Sequence, residues 1–288
     1  MIMKPVLQHR CTLGEGPLWA NGRLYWFDIL TGKLLAWRPG DAKVESWVFA
    51  ESVSAAALLE QGGLIVASAS SLLRFDPTTG SRKVLLPLES DDSRTRSNDG
   101  RADRHGGFWV STMGKGAEPG LGSIWRYFRG ELRCLRKGLT IPNAICFSPD
   151  GALAYFADTA AYTLWCWQLG DDGWPQGEPQ VFLKVAEDEG GPDGAVVDRE
   201  GCIWNARWGS GKVVRLAPGD GRTVETFTLS AMRSSCPAFG GDDLATLYVT
   251  TAQEGMSEAE LLAEPDAGAL FEAPLRVAGL PDALVRLP

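Results

Sequence analysis

Residues 22–40, GRLYWFDILTGKLLAWRPG, contain two short runs of strand-forming residues separated by a glycine-containing turn. Val, Ile, Leu, Tyr, Trp and Phe favour strands, and the pairs TG and PG favour tight turns. The same order of turn, strand, turn and strand returns in five later segments. They begin at Gly62, Gly106, Gly151, Gly201 and Gly241.

The spacing of these glycines gives the size of the repeating unit. Successive intervals are 40, 44, 45, 50 and 40 residues, which is the length of a four-stranded propeller blade. Six such units account for nearly all of the 288 residues. We therefore predict an all-β chain that folds over residues 1–288 as a single six-bladed β-propeller with four antiparallel strands in each blade.

Two further features complete this prediction. A ring of blades must close, because an open ring exposes a sheet edge, and residues 4–10 (KPVLQHR) are predicted to supply the missing strand of the last blade. The one segment with a helical signature is 257–264, SEAELLAE, where Ser257 and Glu260 form a capping-box pattern. We predict a short helix there, attached to blade six.

Charge and cysteine content narrow the class of protein. With 28 Lys and Arg against 36 Asp and Glu, the net charge is −8, which disfavours general binding to nucleic acid or to anionic membranes. The six cysteines are scattered without a CxxC pair, so neither a zinc ribbon nor a disulfide scaffold is indicated. The N-terminus has no apolar signal region, and no window reaches the about 18 apolar residues of a membrane span. We expect a cytoplasmic protein.

A second register carries polar residues. Counting back seven or eight residues from a repeat glycine reaches the predicted innermost strand, near its start at the central channel. Four blades place Glu15, Asn98, Asn143 and Asp193 there, blade two has Ser54, and blade six has the segment 234–236, SSC. Carboxylate and amide oxygens that converge on one axis are typical ligands of a divalent cation. Polar residues beside Gly and Pro are also ordinary turn formers, but their recurrence in one register favours a metal site.

Residues around this register support a polar pocket. Arg96 stands two residues before Asn98 and therefore points to the same side of an extended strand, where it could donate to substrate hydroxyls. Trp19 and Trp208 stand near the expected channel mouth and either pack on a sugar face or pack within the blades. The two histidines, His9 and His105, are interpreted as structural, which disfavours a histidine triad and a histidine-ligated zinc.

The motifs that carry these residues resemble one known family. LGEGPLW (13–19), RSNDGRADRHGGFWVSTMG (96–114), PNAICFSPDG (142–151), YFADT (155–159), PDGAVVDREGCIW (192–204) and FGGDDLATLYVTTA (239–252) together resemble the regucalcin/gluconolactonase family of six-bladed propellers. The resemblance covers nearly the whole chain in the family order. The stretch 247–279 is most similar to bacterial aldonolactonases such as the xylonolactonases.

The resemblance implies an enzyme that hydrolyses a sugar lactone to the aldonic acid with one divalent metal ion. It implies that Glu15, Asn143 and Asp193 are the metal ligands, that Asp193 is also the catalytic acid and base, and that Arg96 and Asn98 bind substrate. The ion is left open among Ca²⁺, Zn²⁺, Mg²⁺, Mn²⁺ and Fe²⁺. One departure concerns Gly116, which stands where regucalcin has an acidic substrate-contacting residue, although Glu118 is nearby.

Two other functions remain open at this point. Related propellers with a similar channel floor hydrolyse organophosphates or aryl esters, and a propeller could also bind calcium without catalysis. The expected partner is a small-molecule sugar lactone, with no nucleic acid and no membrane, and we expect a monomer or a weak oligomer. Turnover of a lactone separates the enzyme from the binding protein.

Overall fold

The computed structural model describes residues 1–288, and nearly all of its regular structure is β-strand. Antiparallel four-stranded sheets form six blades. The innermost strand of each blade contacts that of the next, and the innermost strand of blade six contacts that of blade one, so the ring is closed. This arrangement confirms the six-bladed β-propeller.

The strands follow one another from the channel outward in every blade. The first segment, β1 (Lys4–Pro5), belongs to blade six. Blade one contains β2 (Gly14–Ala20), β3 (Arg23–Asp28), β4 (Lys33–Trp37) and β5 (Glu45–Val48). Blade two contains β6 (Val53–Leu59), β7 (Leu64–Ser68), β8 (Ser71–Phe75) and β9 (Arg82–Pro87). Blade three contains β10 (Thr95–Ala102), β11 (Phe108–Gly114), β12 (Gly122–Phe128) and β13 (Glu131–Leu139).

The second half of the ring repeats this order. Blade four contains β14 (Pro142–Phe147), β15 (Leu153–Asp158), β16 (Thr163–Gln168) and β17 (Gln180–Lys184). Blade five contains β18 (Gly191–Val197), β19 (Ile203–Trp208), β20 (Lys212–Leu216) and β21 (Thr223–Thr228). Blade six contains β22 (Ser234–Gly240), β23 (Thr246–Thr251), β24 (Phe271–Pro274) and β1. Short 3₁₀ turns cover Thr159–Ala161 and Glu187–Glu189.

The hydrophobic core is divided among the seams between blades. Each of the six seams contains one cluster of buried apolar side chains contributed by the two facing sheets. Trp26, Trp109 and Trp204 are each at most 2% exposed in these clusters, so they are packing residues. Successive side chains of a strand point to opposite faces of its sheet, and each face packs in one of the two neighbouring seams. Both faces are therefore apolar, and the strand sequences are almost continuously hydrophobic.

The N-terminal segment closes the ring, as predicted, but over fewer residues. Lys4 pairs with Glu272 and Pro5 pairs with Phe271 across β1 and β24. Beyond Pro5 the N–H of Val6 still donates to the carbonyl of Leu270 at 2.9 Å, and that of Cys11 donates to the carbonyl of Gly268 at 2.8 Å. Ahead of β1, the N–H of Met3 donates to the carbonyl of Thr228 at 2.9 Å, which ties the N-terminus to blade five as well.

The remaining elements lie outside the blades. The predicted helix is present as α1 (Glu258–Ala263), and Ser257 and Glu260 form both bonds of the capping box. No helix has the length and apolar character needed to cross a bilayer. A C-terminal strand that the sequence analysis missed, β25 (Leu284–Val285), pairs in parallel with β6. Asp282, two residues before β25, forms a 3.0 Å ion pair with Arg101 near the end of β10. The C-terminal tail therefore lies at the end of the channel where the innermost strands finish.

Candidate active site at the channel mouth

The start of every innermost strand is irregular at the position that carries the polar register. The pairing shifts between Glu15 and Leu18 in blade one, and a shift occurs at the equivalent place in each of the other five blades. Such bulges re-aim side chains and are common beside active sites. Gly16 and Ala144, which directly follow Glu15 and Asn143, have φ values of 54° and 57°. This left-handed backbone turns both polar side chains into the channel.

The five predicted site residues line one cavity of about 360 Å³ at this end of the channel, which is within the range of small-molecule sites. They are Glu15, Arg96, Asn98, Asn143 and Asp193. Ser54, Ser234 and Ser235 are fully buried and bond to neighbouring protein groups instead. The register therefore supplies polar groups to the pocket from four blades and interblade hydrogen bonds from the other two.

A chain of hydrogen bonds crosses three blades and fixes the two amides. Arg96 Nη1 donates to Asn98 Oδ1 at 2.9 Å, and Asn98 Nδ2 donates to Asn143 Oδ1 at 3.0 Å. Asn143 Nδ2 then donates to Thr159 Oγ1 at 2.9 Å, and Thr159 donates to the carbonyl of Pro192 at 2.8 Å. Because Asn143 accepts through Oδ1 and donates through Nδ2 within this chain, the orientation of its amide, which lines the cavity, is fixed.

Two buried carboxylates face this chain. Burial raises the pKa of Glu15 to about 8, with a further contribution from the negative charge of Asp99. Burial also raises the pKa of Asp193 well above its ordinary value, and the charge of Glu15 adds to the effect. Both groups are at most 7% exposed. Removal from water disfavours the charged form of each carboxylate, and Asp193 Oδ1 has no hydrogen-bond partner in the protein.

These donors fit a divalent cation. Two carboxylates and the amide carbonyl of Asn143 form an all-oxygen set with the negative charge that a hard cation requires. No group of three or more His, Cys, Asp and Glu side chains is placed to hold a metal, so the set depends on the amide oxygen of Asn143. The unpartnered Oδ1 of Asp193 is the kind of buried polar atom that a bound ion would satisfy.

Repeated aspartates position two of these residues. Asp28, at the end of β3, accepts hydrogen bonds from the N–H groups of Thr12 and Leu13, directly before Glu15. Asp158, at the end of β15, does the same two to three residues before Asn143. It accepts from the N–H groups of residues 140 and 141 at 2.8 and 2.9 Å. We call this pair the aspartate clamps.

Blade five supports Asp193 in a different way. Trp208 occupies the clamp position, opposite Gly191, and its side chain lines the cavity. Asn205 Nδ2 instead donates to the backbone carbonyls of Asp193 and Gly194 at 2.7 and 3.2 Å. The bulge that carries Asp193 is thus held from the middle of β19.

The structure decides the positions of Trp19, Trp208 and Glu118, which the sequence left open. Trp208 lines the cavity, whereas Trp19 stacks on Tyr248 at a centroid distance of 5.8 Å. Glu118 is exposed and accepts a 3.0 Å hydrogen bond from the N–H of Gly116, and it does not line the cavity. Sequence reasoning missed Thr159, Lys115 and Glu254, all of which do. Thr159 belongs to the motif YFADT and Glu254 to the stretch 247–279, but neither stands in the polar register.

Comparison with known proteins identifies the family of this chain. The family model for the SMP-30/Gluconolactonase/LRE-like region matches residues 13–253. The 6-deoxy-6-sulfogluconolactonase of Pseudomonas putida is 36% identical, with 98% of each chain covered. The L-arabinolactonase of Azospirillum brasilense is 35% identical over 94% of this chain and 91% of its own. The crystal structure of regucalcin, a calcium-binding protein from Agrobacterium tumefaciens, superposes with a TM-score of 0.96 at 36% identity, covering 100% of this chain and 99% of that one.

The match to the family model covers most of the chain, and the relatives are similar over almost their full length. The chain therefore belongs to the SMP-30/gluconolactonase/LRE-like family.

Proposed function

We propose that this protein is a lactonase that hydrolyses a sugar lactone to the corresponding aldonic acid, with one divalent cation held by Glu15, Asn143 and Asp193. The observation that carries the proposal is the convergence of these three oxygen donors, from three blades, on one cavity with an unpartnered carboxylate oxygen. The lactonases among the relatives support the reaction class. When bound, a divalent cation supplies a Lewis acid for an ester carbonyl and lowers the pKa of a coordinated water.

Asp193 is the group best placed to move the proton. In hydrolysis, the oxygen of water forms a bond to the lactone carbonyl carbon, and one water proton passes to a carboxylate oxygen of Asp193. The bond between that carbon and the ring oxygen then breaks, and the same proton passes from Asp193 to the ring oxygen, which becomes a hydroxyl. The buried position of Asp193 excludes competing water from this transfer.

Arg96 and Asn98 orient the sugar through different groups. Both Nδ2 hydrogens of Asn98 are already donated, to Asn143 and to the carbonyl of Pro142, so Asn98 has only a lone pair of Oδ1 to offer a substrate hydroxyl. Arg96 uses Nη1 to bond Asn98 and the carbonyl of Ser97, which leaves its other nitrogens to donate to substrate oxygens. Together they supply one acceptor and several donors, and fixed positioning of this kind lowers the barrier.

The character of the cavity favours a polyhydroxylated ligand over an organophosphate. Its lining includes three carboxylates, two cationic side chains and two amides, whereas an organophosphate pocket would be mainly apolar. Leu13, Met113 and Ile141 form an apolar part, beside Trp208. This balance is suited to a sugar ring, which has hydroxyls at its edge and C–H groups on its faces.

Acid release from a panel of pentono- and hexonolactones tests the proposal. The protein is stripped with a chelator and assayed before and after each of Ca²⁺, Zn²⁺, Mg²⁺, Mn²⁺ and Fe²⁺ is added, with the spontaneous rate subtracted. Hydrolysis that returns with a cation in the parent protein but not in Asp193→Ala supports it. Folded, cation-loaded protein that hydrolyses no lactone would assign the site to cation binding without catalysis or to another ester.

A further inference from the structure

After the TM pair, this chain has no acid at the position where the resemblance to regucalcin implies a substrate-contacting one. Gly116 stands at that position, and the neighbouring Glu118 is turned back over its own loop, where its Oε2 accepts the N–H of Gly116. Glu118 is exposed and lies outside the cavity wall. Blade three therefore contributes no carboxylate to the wall on this side.

Blade six contributes one instead. Glu254 lies in the connection between β23 and α1, and its side chain lines the cavity together with Arg96. The backbone on both sides of it is tied down. Gln253 donates its N–H to the carbonyl of Thr12 at 2.9 Å, and Met256 donates to the carbonyl of Gln253 at 3.0 Å. The first of these bonds joins the connection to the segment that precedes Glu15.

The Glu254 carboxylate is free to bind a ligand. It is half-buried and accepts no hydrogen bond from the protein. Among the carboxylates that act on Arg96, Glu254 raises its pKa most, ahead of Glu15 and Asp193, and so offsets part of the effect of burial. Glu254 and Arg96 thus supply an acceptor and a donor to the lining of the same cavity, and a hydroxyl can bond to both kinds of group.

We propose that Glu254 determines sugar specificity by accepting a hydrogen bond from one hydroxyl of the lactone, in place of the acid missing at Gly116. This inference rests on the proposed function, since it names a recognition residue of that same site. A site built to bond a hydroxyl rejects the analogue that lacks it, because the charged acceptor is then left without a partner. Specificity thus depends on Glu254 in blade six, whereas Gly116 belongs to blade three.

A matched set of variants and ligands tests the assignment. Glu254→Ala, Glu254→Gln and the control Glu118→Ala are compared with the parent protein on lactones that lack one hydroxyl at a time. Binding of the corresponding lactams, which have no scissile ester, is measured by calorimetry in parallel. In the parent, removal of the hydroxyl bound by Glu254 should lower kcat/KM and lactam affinity about 10- to 100-fold.

Glu254→Ala should lose that discrimination at one hydroxyl position, while the other positions keep theirs. Glu254→Gln, which retains an uncharged acceptor, should be intermediate, and Glu118→Ala should behave as the parent does. If Glu254→Ala keeps the parent's discrimination at every position in both assays, the assignment is wrong. A loss of cation affinity in Glu254→Ala as large as that in Glu15→Gln would place Glu254 among the cation ligands and also overturn it.

The lactams separate this inference from the proposed function. If the parent hydrolyses no lactone but binds lactams with discrimination that disappears in Glu254→Ala, the reaction is wrong and the recognition role of Glu254 stands. If the parent is an active lactonase and Glu254→Ala lowers kcat/KM by the same factor on every analogue, the reaction stands and the specificity role fails.

Discussion

Replacing Asp158 with alanine should weaken cation binding without a direct change to any proposed ligand. Asp158 accepts the N–H groups of Thr140 and Ile141 at 2.8 and 2.9 Å, and that of Ala160 at 3.2 Å. These bonds hold both the segment before Asn143 and the turn that contains Thr159. Without them, the amide of Asn143 is no longer confined to one orientation.

The size of the effect follows from these bonds. Hydrogen bonds to a charged group contribute about 1.5–3 kcal/mol each, and the lower value applies because residues 140 and 141 are only half-buried. Loss of the two shortest bonds should therefore cost about 3 kcal/mol. For a chain of this length, about 2 °C per kcal/mol gives a fall in Tm of about 6 °C. Changes to groups that orient metal ligands typically lower affinity about 10- to 100-fold.

The assay measures Tm by circular dichroism and cation affinity by calorimetry on the same samples. Asp198→Asn is the control, because Asp198 is also a buried multiple acceptor but lies at the far end of its strand. Asp198 accepts hydrogen bonds from the backbone N–H groups of Glu200 and Cys202 and from the side chains of Trp204 and Arg215. This control should lower Tm and leave cation affinity unchanged. Cation affinity within twofold of the parent in Asp158→Ala, or an equal loss in Asp198→Asn, would refute the clamp reasoning.

Four further outcomes are expected. Asp193→Ala should abolish turnover, since it removes both a proposed cation ligand and the proposed proton acceptor, and near-normal kcat with bound cation would contradict that role. Asn98→Ala should mainly raise KM, because Asn98 positions substrate, and an unchanged KM with a lower kcat would argue against it. A saturating divalent cation at a hundred times its Kd should add about 2.7 kcal/mol to the free energy of unfolding. The resulting rise in Tm should be reversed by chelator and absent in Glu15→Gln, and a rise of equal size in that variant would exclude Glu15 as a ligand. Deletion of residues 1–5 removes β1 and opens the edge of blade six, so Tm should fall, and an unchanged Tm would mean that the ring does not depend on this closure.

Most of the proposed site could be predicted from the sequence because it follows the repeat. Glu15, Asn98, Asn143 and Asp193 stand seven or eight residues before a turn glycine, and in this propeller that distance leads to the first half of an innermost strand. Hydrogen bonds within each blade fix the position of the innermost strand relative to the turn glycine. The four residues therefore come together when the blades close into a ring. Arg96 follows from Asn98 by strand alternation.

The aspartate clamps and Glu254 could not be predicted in the same way. Asp28 and Asp158 are ordinary acidic residues at strand ends, and their partners lie 15 to 18 residues earlier in the chain. Glu254 belongs to a connection with no register of its own. Glu118 lies closer in sequence to the missing acid, but the short loop at Gly116 directs its carboxylate away from the cavity.

The sequence by itself determined the blade repeat, the closing N-terminal segment, the capped helix and the polar register, because each depends on strand periodicity, turn chemistry or capping within a short stretch. The tertiary structure alone decided which polar residues share the cavity, that Glu254 is among them and where the C-terminal strand binds. Those outcomes depend on the path that the connections between strands and blades follow. Closure of the ring sets that path through contacts between residues far apart in the chain.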